Sequence, residues 1–189
     1  MNLFAGQFIP GDLLRVVGRA LADFGLSATT LDLELTERTI LRSDSRMLAD
    51  LHVLRAQGVG IVLDHFGTGD ASIAMLRDHP LTRIKIDRSL VGGIGHSPSD
   101  LAILEGVARL GQGFRLAVTA DGVETAEQAR LLRPHCSDAQ GTYFGHRVPA
   151  EEFEALHLSR CAALPSHVPG MPPEAPERAA PPRRAMCSS

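Results

Sequence analysis

Ile61-Val62-Leu63-Asp64-His65-Phe66-Gly67-Thr68-Gly69 decides how the rest of this chain is read. Three apolar residues run into an acid and then into a glycine-rich turn, the pattern of a buried strand that ends in a chemically active loop. The pattern recurs. Leu31-Asp32-Leu33-Glu34-Leu35 carries Glu34, Arg83-Ile84-Lys85-Ile86-Asp87 carries Lys85, and Leu116-Ala117-Val118-Thr119-Ala120 leads to Asp121. A barrel that puts the carboxyl end of every strand on one face would gather these groups, which points to catalysis or metal binding rather than to stability alone.

Between these segments the apolar spacing turns helical. Leu13, Leu14, Val16, Val17, Ala20 and Leu21 predict a helix over 12–24, and Met47, Leu48, Leu51 and Leu54 another over 44–57, with Gly58 at its C-terminal stop. Further helices are expected from Ser72 to near Pro80, over 100–110 behind a Ser97 or Ser99 cap, over 125–132 behind Thr125, and over 150–156. Strands are expected over 31–35, 59–63, 82–86, 114–118 and 139–142. Alternating strand and helix at this interval argues for a parallel α/β sheet or barrel.

Composition narrows the field. A net charge of −3 gives no basic face with which to grip DNA or RNA. No apolar run approaches the length of a membrane span, and Met1-Asn2-Leu3-Phe4-Ala5-Gly6 lacks the charged start of a signal peptide. Cys136, Cys161 and Cys187 are odd in number and have no metal-binding spacing, as expected of reduced thiols. Seven of the 12 prolines fall in 165–189 among Ala, Arg and Ser, so 161–189 reads as a disordered Pro/Ala/Arg-rich tail behind a domain spanning 1–160.

Six pieces of the chain, in order, resemble the EAL domain family of cyclic di-GMP phosphodiesterases. They are Asn2-Leu3 with Gln7-Phe8, Glu34-Leu35-Thr36-Glu37, Asp64-His65-Phe66-Gly67-Thr68-Gly69, Lys85-Ile86-Asp87-Arg88, Ala120-Asp121-Gly122-Val123-Glu124-Thr125, and Gln140-Gly141. The resemblance implies a TIM-like (β/α) barrel in a bacterial cytoplasmic protein that hydrolyses cyclic di-GMP to linear pGpG with Mg²⁺ or Mn²⁺ in a two-metal site. Carried over position by position, it makes Asn2, Glu34 and Asp64 ligands of one metal and puts His65 in the slot of a second-metal carboxylate. Lys85 meets the water or a phosphate oxygen, and Asp121 is the general base. Glu37 braces the loop after Asp64, Glu124 supports the site, and Gln140 lies at the substrate or metal edge. Relatives in the family dimerise through the barrel, so a homodimer is the implied assembly.

The departures are specific. The Glu-Ala-Leu signature that names the family has no counterpart ahead of Asn2, where the family carries it; the Glu154-Ala155-Leu156 of this chain falls in the last expected helix. With Asn2-Leu3 counted as a strand by the resemblance, six strands are legible, against eight in a closed barrel of roughly 200–250 residues, so the barrel is expected to be incomplete, with the first two strands missing. His65 stands for an aspartate and should weaken the second metal site, since neutral imidazole suits Mg²⁺ less than a carboxylate does. Asp121 stands for a glutamate, which retracts the carboxylate by one methylene. Asp70 and Thr142 each stand for a tyrosine. These changes leave three expectations: an impaired phosphodiesterase, an inactive EAL-like module that senses cyclic di-GMP or contacts a protein, or a non-functional gene fragment.

The residues also admit plainer readings. Asp64 alone could be a turn residue, Glu37 a cap, Glu124 a partner of the following helix dipole, and Asp87 with Arg88 a structural pair or cap. Glu34 and Lys85 resist that treatment. Each is an ionisable group between apolar neighbours in a strand, where an unpaired charge is costly.

Overall fold

The computed structural model describes residues 1–3, 12–68, 73–149, 151–153 and 155. Gln7, Phe8, Gly69, Asp70 and the expected tail 161–189 lie outside them. The chain divides into two compact units, Met1–His146 and Arg147–Ser189. In the second, 151–153 and 155 are helical, and the Phe153 N–H donates to the Pro149 carbonyl at 2.9 Å.

The first unit is an α/β layer structure. Among the described residues, β1 (Asn2–Leu3), β2 (Asp32–Thr36), β3 (Gly60–Phe66), β4 (Arg83–Ile86), β5 (Ala117–Asp121) and β6 (Asp138–Gln140) form one sheet in sequential order, with every neighbouring pair parallel. Among the described residues the sheet does not close, and β1 and β6 are its edges. That is the incomplete barrel expected from the sequence. The intervening helices are α1 (Leu13–Asp23), α2 (Glu37–Leu41), α3 (Ser45–Ala56), α4 (Ile73–Asp78), α5 (Arg88–Gly93), α6 (Pro98–Phe114) and α7 (Ala126–Leu132).

Side chains alternate across a strand, so each strand offers one set of residues to each face. Leu33, Leu35, Ile61, Leu63, Ile84, Ile86, Val118 and Ala120 join Leu51, Leu54, Leu104 and Val107 of the helices in one apolar core. The residues between them, Asp32, Glu34, Asp64, Arg83, Lys85, Thr119 and Asp121, face the other way. The core therefore lies on the helix side, and the polar groups share the inner face.

The boundaries differ from expectation in several places, among them β6, which covers Asp138–Gln140 rather than 139–142. β3 runs on through Asp64 to Phe66, with a register irregularity between Leu63 and Phe66. β5 starts at Ala117, three residues later than expected, because α6 persists to Phe114 and Arg115 ends it with a left-handed backbone (φ 59°). The long helix packs closely on β5 at Gly111, where a Cβ would come within 2.4 Å of Val118 Cγ2. The short α2 and α5 were not expected; side-chain caps start both. Thr36 Oγ1 accepts from the Thr39 N–H at 3.3 Å, and Asp87 Oδ1 from the Ser89 N–H at 2.8 Å. Elsewhere Ser97 caps α6, and Thr125 forms a capping box with Gln128.

Candidate active site at the carboxyl ends of the strands

Lys85 is the hub. Its ammonium lies 3.3 Å from Glu34 Oε2 on β2, 3.6 Å from Asp64 Oδ1 on β3 and 3.7 Å from Asp121 Oδ2 on β5. The Lys85 residue is only 8% exposed. Burial alone would push its pKa down, but the charges of Asp64, Glu34 and Asp121 outweigh burial and hold it above the ordinary lysine value. The group is an ammonium at neutral pH, shared by three carboxylates from three strands.

The remaining residues fall around this hub. Gln140 Nε2 donates to Asp121 Oδ1 at 2.8 Å, and the two residues are Cα partners across β5 and β6. Asn2 is the Cα partner of Glu34 across β1 and β2, so its amide belongs to the same end of the sheet. Glu37 is the first residue of α2 and is buried. Glu124 is exposed, and its backbone N–H donates to Gln128 Oε1 at 2.8 Å. Glu124 thus stands at the start of α7 through its backbone.

His65 has an unusual backbone. Its φ of 57° lies in the left-handed region, which Asn, Asp and His enter more readily than other non-glycine residues. Two residues on, Gly67 has φ 99°, and a Cβ there would meet Leu90 Cδ1 at 2.5 Å. This twist at the end of β3 turns the His65 ring back toward Asp64. Nδ1 is 3.0 Å from Asp64 Oδ2, Nε2 is 4.0 Å from Asp87 Oδ2, and the His65 N–H donates to Asp64 Oδ1 at 2.9 Å. Burial would raise the Asp87 carboxyl, but the Ser89 hydrogen bonds and the His65 and Arg88 charges hold it below its usual value.

One layer was missed in the sequence. Two residues before Lys85, and so on the same face, Arg83 Nη1 donates to Thr119 Oγ1 at 2.8 Å and to Asp138 Oδ2, while its Nε lies 3.9 Å from Asp32 Oδ2. The signal was available as strand periodicity: in a run whose alternate residues are isoleucine, Arg83 and Lys85 share a face.

A hard divalent cation takes oxygen donors, and Asn2, Glu34 and Asp64 supply an amide and two carboxylates from adjacent strands. That donor chemistry fits one cation. Beside them His65 offers an imidazole, turned onto Asp64. Among the described residues no group of three or more His, Cys, Asp and Glu is spaced to hold an ion as it stands, the carboxylates being gathered on Lys85 instead.

The model of the EAL domain matches residues 7–147. This chain belongs to the EAL domain family. It is 37% identical over 174 residues to an uncharacterized protein of Mycobacterium tuberculosis, covering 92% of this chain and 28% of that protein. It is 39% identical over 156 residues to the bifunctional diguanylate cyclase/cyclic di-GMP phosphodiesterase MucR of Pseudomonas aeruginosa, covering 82% of this chain and 23% of MucR. The chain thus spans under a third of the length of these relatives. The structure of the MucR phosphodiesterase in complex with cyclic di-GMP superimposes with a TM-score of 0.73 at 38% identity, over 80% of this chain and 62% of that one. Klebsiella pneumoniae BlrP1, in a manganese and cyclic di-GMP complex, gives a TM-score of 0.67 at 27% identity, over 75% of this chain and 37% of BlrP1. The EAL resemblance read from six short motifs is thereby established for the family and the fold. No helix among the described residues is long and apolar enough to cross a membrane.

Proposed function

We propose that this EAL domain is a metal-dependent cyclic di-GMP phosphodiesterase that opens the cyclic dinucleotide to linear pGpG, weakened by His65 and Asp121. The observation that carries the reading is the meeting of Lys85 with Glu34, Asp64 and Asp121, from four separate strands, at the carboxyl rim of an EAL-family sheet.

Asn2, Glu34 and Asp64 would hold a divalent cation, Mg²⁺ or Mn²⁺, which supplies Lewis-acid polarisation of a phosphate oxygen and of water. The chain's own residues do the rest. Asp121 takes the proton from the attacking water through Oδ2, since Oδ1 accepts from Gln140. The water oxygen bonds to phosphorus, the bond from phosphorus to the sugar oxygen breaks, and that oxygen takes up a proton from solvent to become a hydroxyl, while Asp121 returns its own proton to solvent. Lys85 offers its ammonium to the phosphate oxygens as charge builds there. The shorter side chain of Asp121 sets its carboxylate back, and a displacement of about 1 Å can cost on the order of 100-fold in rate.

The test is release of pGpG from cyclic di-GMP by the purified chain with Mn²⁺ against a metal-free blank; no product above the blank rules out the hydrolase. A second reading, a cyclic di-GMP sensor without turnover, is favoured by the two substitutions at His65 and Asp121. Calorimetric titration decides it, and absence of heat at high micromolar dinucleotide counts against it.

A further inference from the structure

We propose that Arg83 is a positioning residue that holds β6, and through it Gln140, against Asp121. The proposal rests on the reading of Asp121 as the group that takes the proton. β6 is three residues long, exposed throughout, and is the edge of the described sheet. Its ladder to β5 is supplemented on the preceding residue, where Ser137 Oγ accepts from the Val118 N–H at 3.0 Å and donates to the Val118 carbonyl at 2.9 Å.

Arg83 adds a tie from across the sheet. Its guanidinium starts on β4, passes Thr119 on β5 and reaches Asp138 on β6, while Nε faces Asp32 on β2. A planar fork with several donors can make these contacts at once; a lysine has a single nitrogen at its tip. Asp138 and Gln140 lie two apart in one strand, so both point to the inner face. Thr119 is the Cα partner of Asp138, and Asp121 that of Gln140. Fixing Asp138 therefore fixes the height at which Gln140 meets Asp121. Glu34, Arg83, Lys85, Thr119, Asp138 and Gln140 all line one cavity of about 220 Å³, so the tie and the site share a space.

An ion pair this open to solvent adds little to global stability. Its effect is to be read at Gln140, not in the melting temperature. The test uses the full chain, ¹⁵N-labelled, with Arg83→Met, Arg83→Lys and Asp138→Asn. The Gln140 side-chain amide signals should move toward those of a solvent-exposed glutamine in Arg83→Met and in Asp138→Asn alike, with Arg83→Lys in between and the melting temperature little changed. Should Arg83→Met fail to fold, the half-exposed Asp138→Asn carries the same reading. In the hydrolysis assay Arg83→Met and Asp138→Asn should each lower kcat by about tenfold while KM stays within about twofold. Gln140 signals that stay in place in a folded Asp138→Asn, or an unchanged kcat, would overturn the proposal. A wild-type chain that releases no pGpG overturns the role of Asp121 instead, and the Gln140 signals still decide whether Arg83 positions that side chain.

Discussion

Alternate residues of the same strands build two opposite surfaces. On the helix side Leu33, Leu35, Ile61, Leu63, Ile84 and Ile86 are each 0% exposed. On the inner side stand Asp32, Glu34, Asp64, Arg83 and Lys85, and the charges there are arranged around two cations. Each apolar side chain buried on the helix side stabilises the fold by roughly 1.5–3 kcal/mol. The inner face contributes little of that kind. In a closed barrel of this class bulky branched residues fill the interior in layers. Here Val62 is the one branched aliphatic residue among those lining the inner cavity. Apolar packing and clustered charge are thus separated by a period of two along each strand, and substitutions one position apart should fail in different ways.

The largest effect is expected on the helix side. Leu63→Ala removes a side chain with no exposed surface and should cost about 3 kcal/mol in chemical denaturation, with the slope against denaturant unchanged. A cost below about 1 kcal/mol would mean that this face is not the core. Next comes the reversion pair His65→Asp with Asp121→Glu on the inner face, expected to raise pGpG release by on the order of 10- to 100-fold while leaving stability nearly unchanged. Unchanged turnover would show that neither substitution limits the site.

A smaller effect is expected at Asp87, which belongs to neither face but caps α5. Asp87→Asn should cost about 1 kcal/mol or less, because asparagine also caps well. The sign of its pH dependence is fixed by its carboxyl, which is held below the usual value in the folded chain. The folded state binds that proton less readily than the unfolded state, so the contribution is present above about pH 4 and fades as pH falls through the lowered folded value. Acid unfolding of Asp87→Asn should be correspondingly less steep below pH 4. The smallest effect is at Cys136, whose thiol is pushed up to about 11 by burial and, secondarily, by the Asp138 charge. Alkylation of folded protein at pH 8 should be slower than that of unfolded protein and should quicken as pH rises toward that value.

The two faces were not equally legible. The helix side was read well, since apolar residues at alternate positions are its signature and Ile61-Val62-Leu63 announced β3 without help from any other segment. The hub was legible too, because a lysine between Ile84 and Ile86 or a glutamate between Leu33 and Leu35 has to be paired or lie in a polar cavity. The lower layer was not, because Arg83 follows Thr82 and looks like a residue entering the strand from solvent. Its partners Asp32, Thr119 and Asp138 come from three other strands, and only the register brings them together. β5 was placed early because Phe114 and Leu116 read as strand residues, whereas the left-handed Arg115 between them ends a helix. At Glu124 both readings of the sequence stay open: its backbone N–H donates to Gln128 Oε1 beside the Thr125 capping box, which is the helix-start reading, while the supporting role comes from the motif alone.

The separation of faces is tested most directly by Lys85→Met, followed in parallel by pGpG release from cyclic di-GMP and by thermal unfolding. Removing the ammonium takes away the group shared by Glu34, Asp64 and Asp121. The expected result is a loss of product formation of on the order of 100-fold or more in a chain that still folds and unfolds cooperatively. Product formation at the wild-type rate would contradict the assignment of the inner face to chemistry.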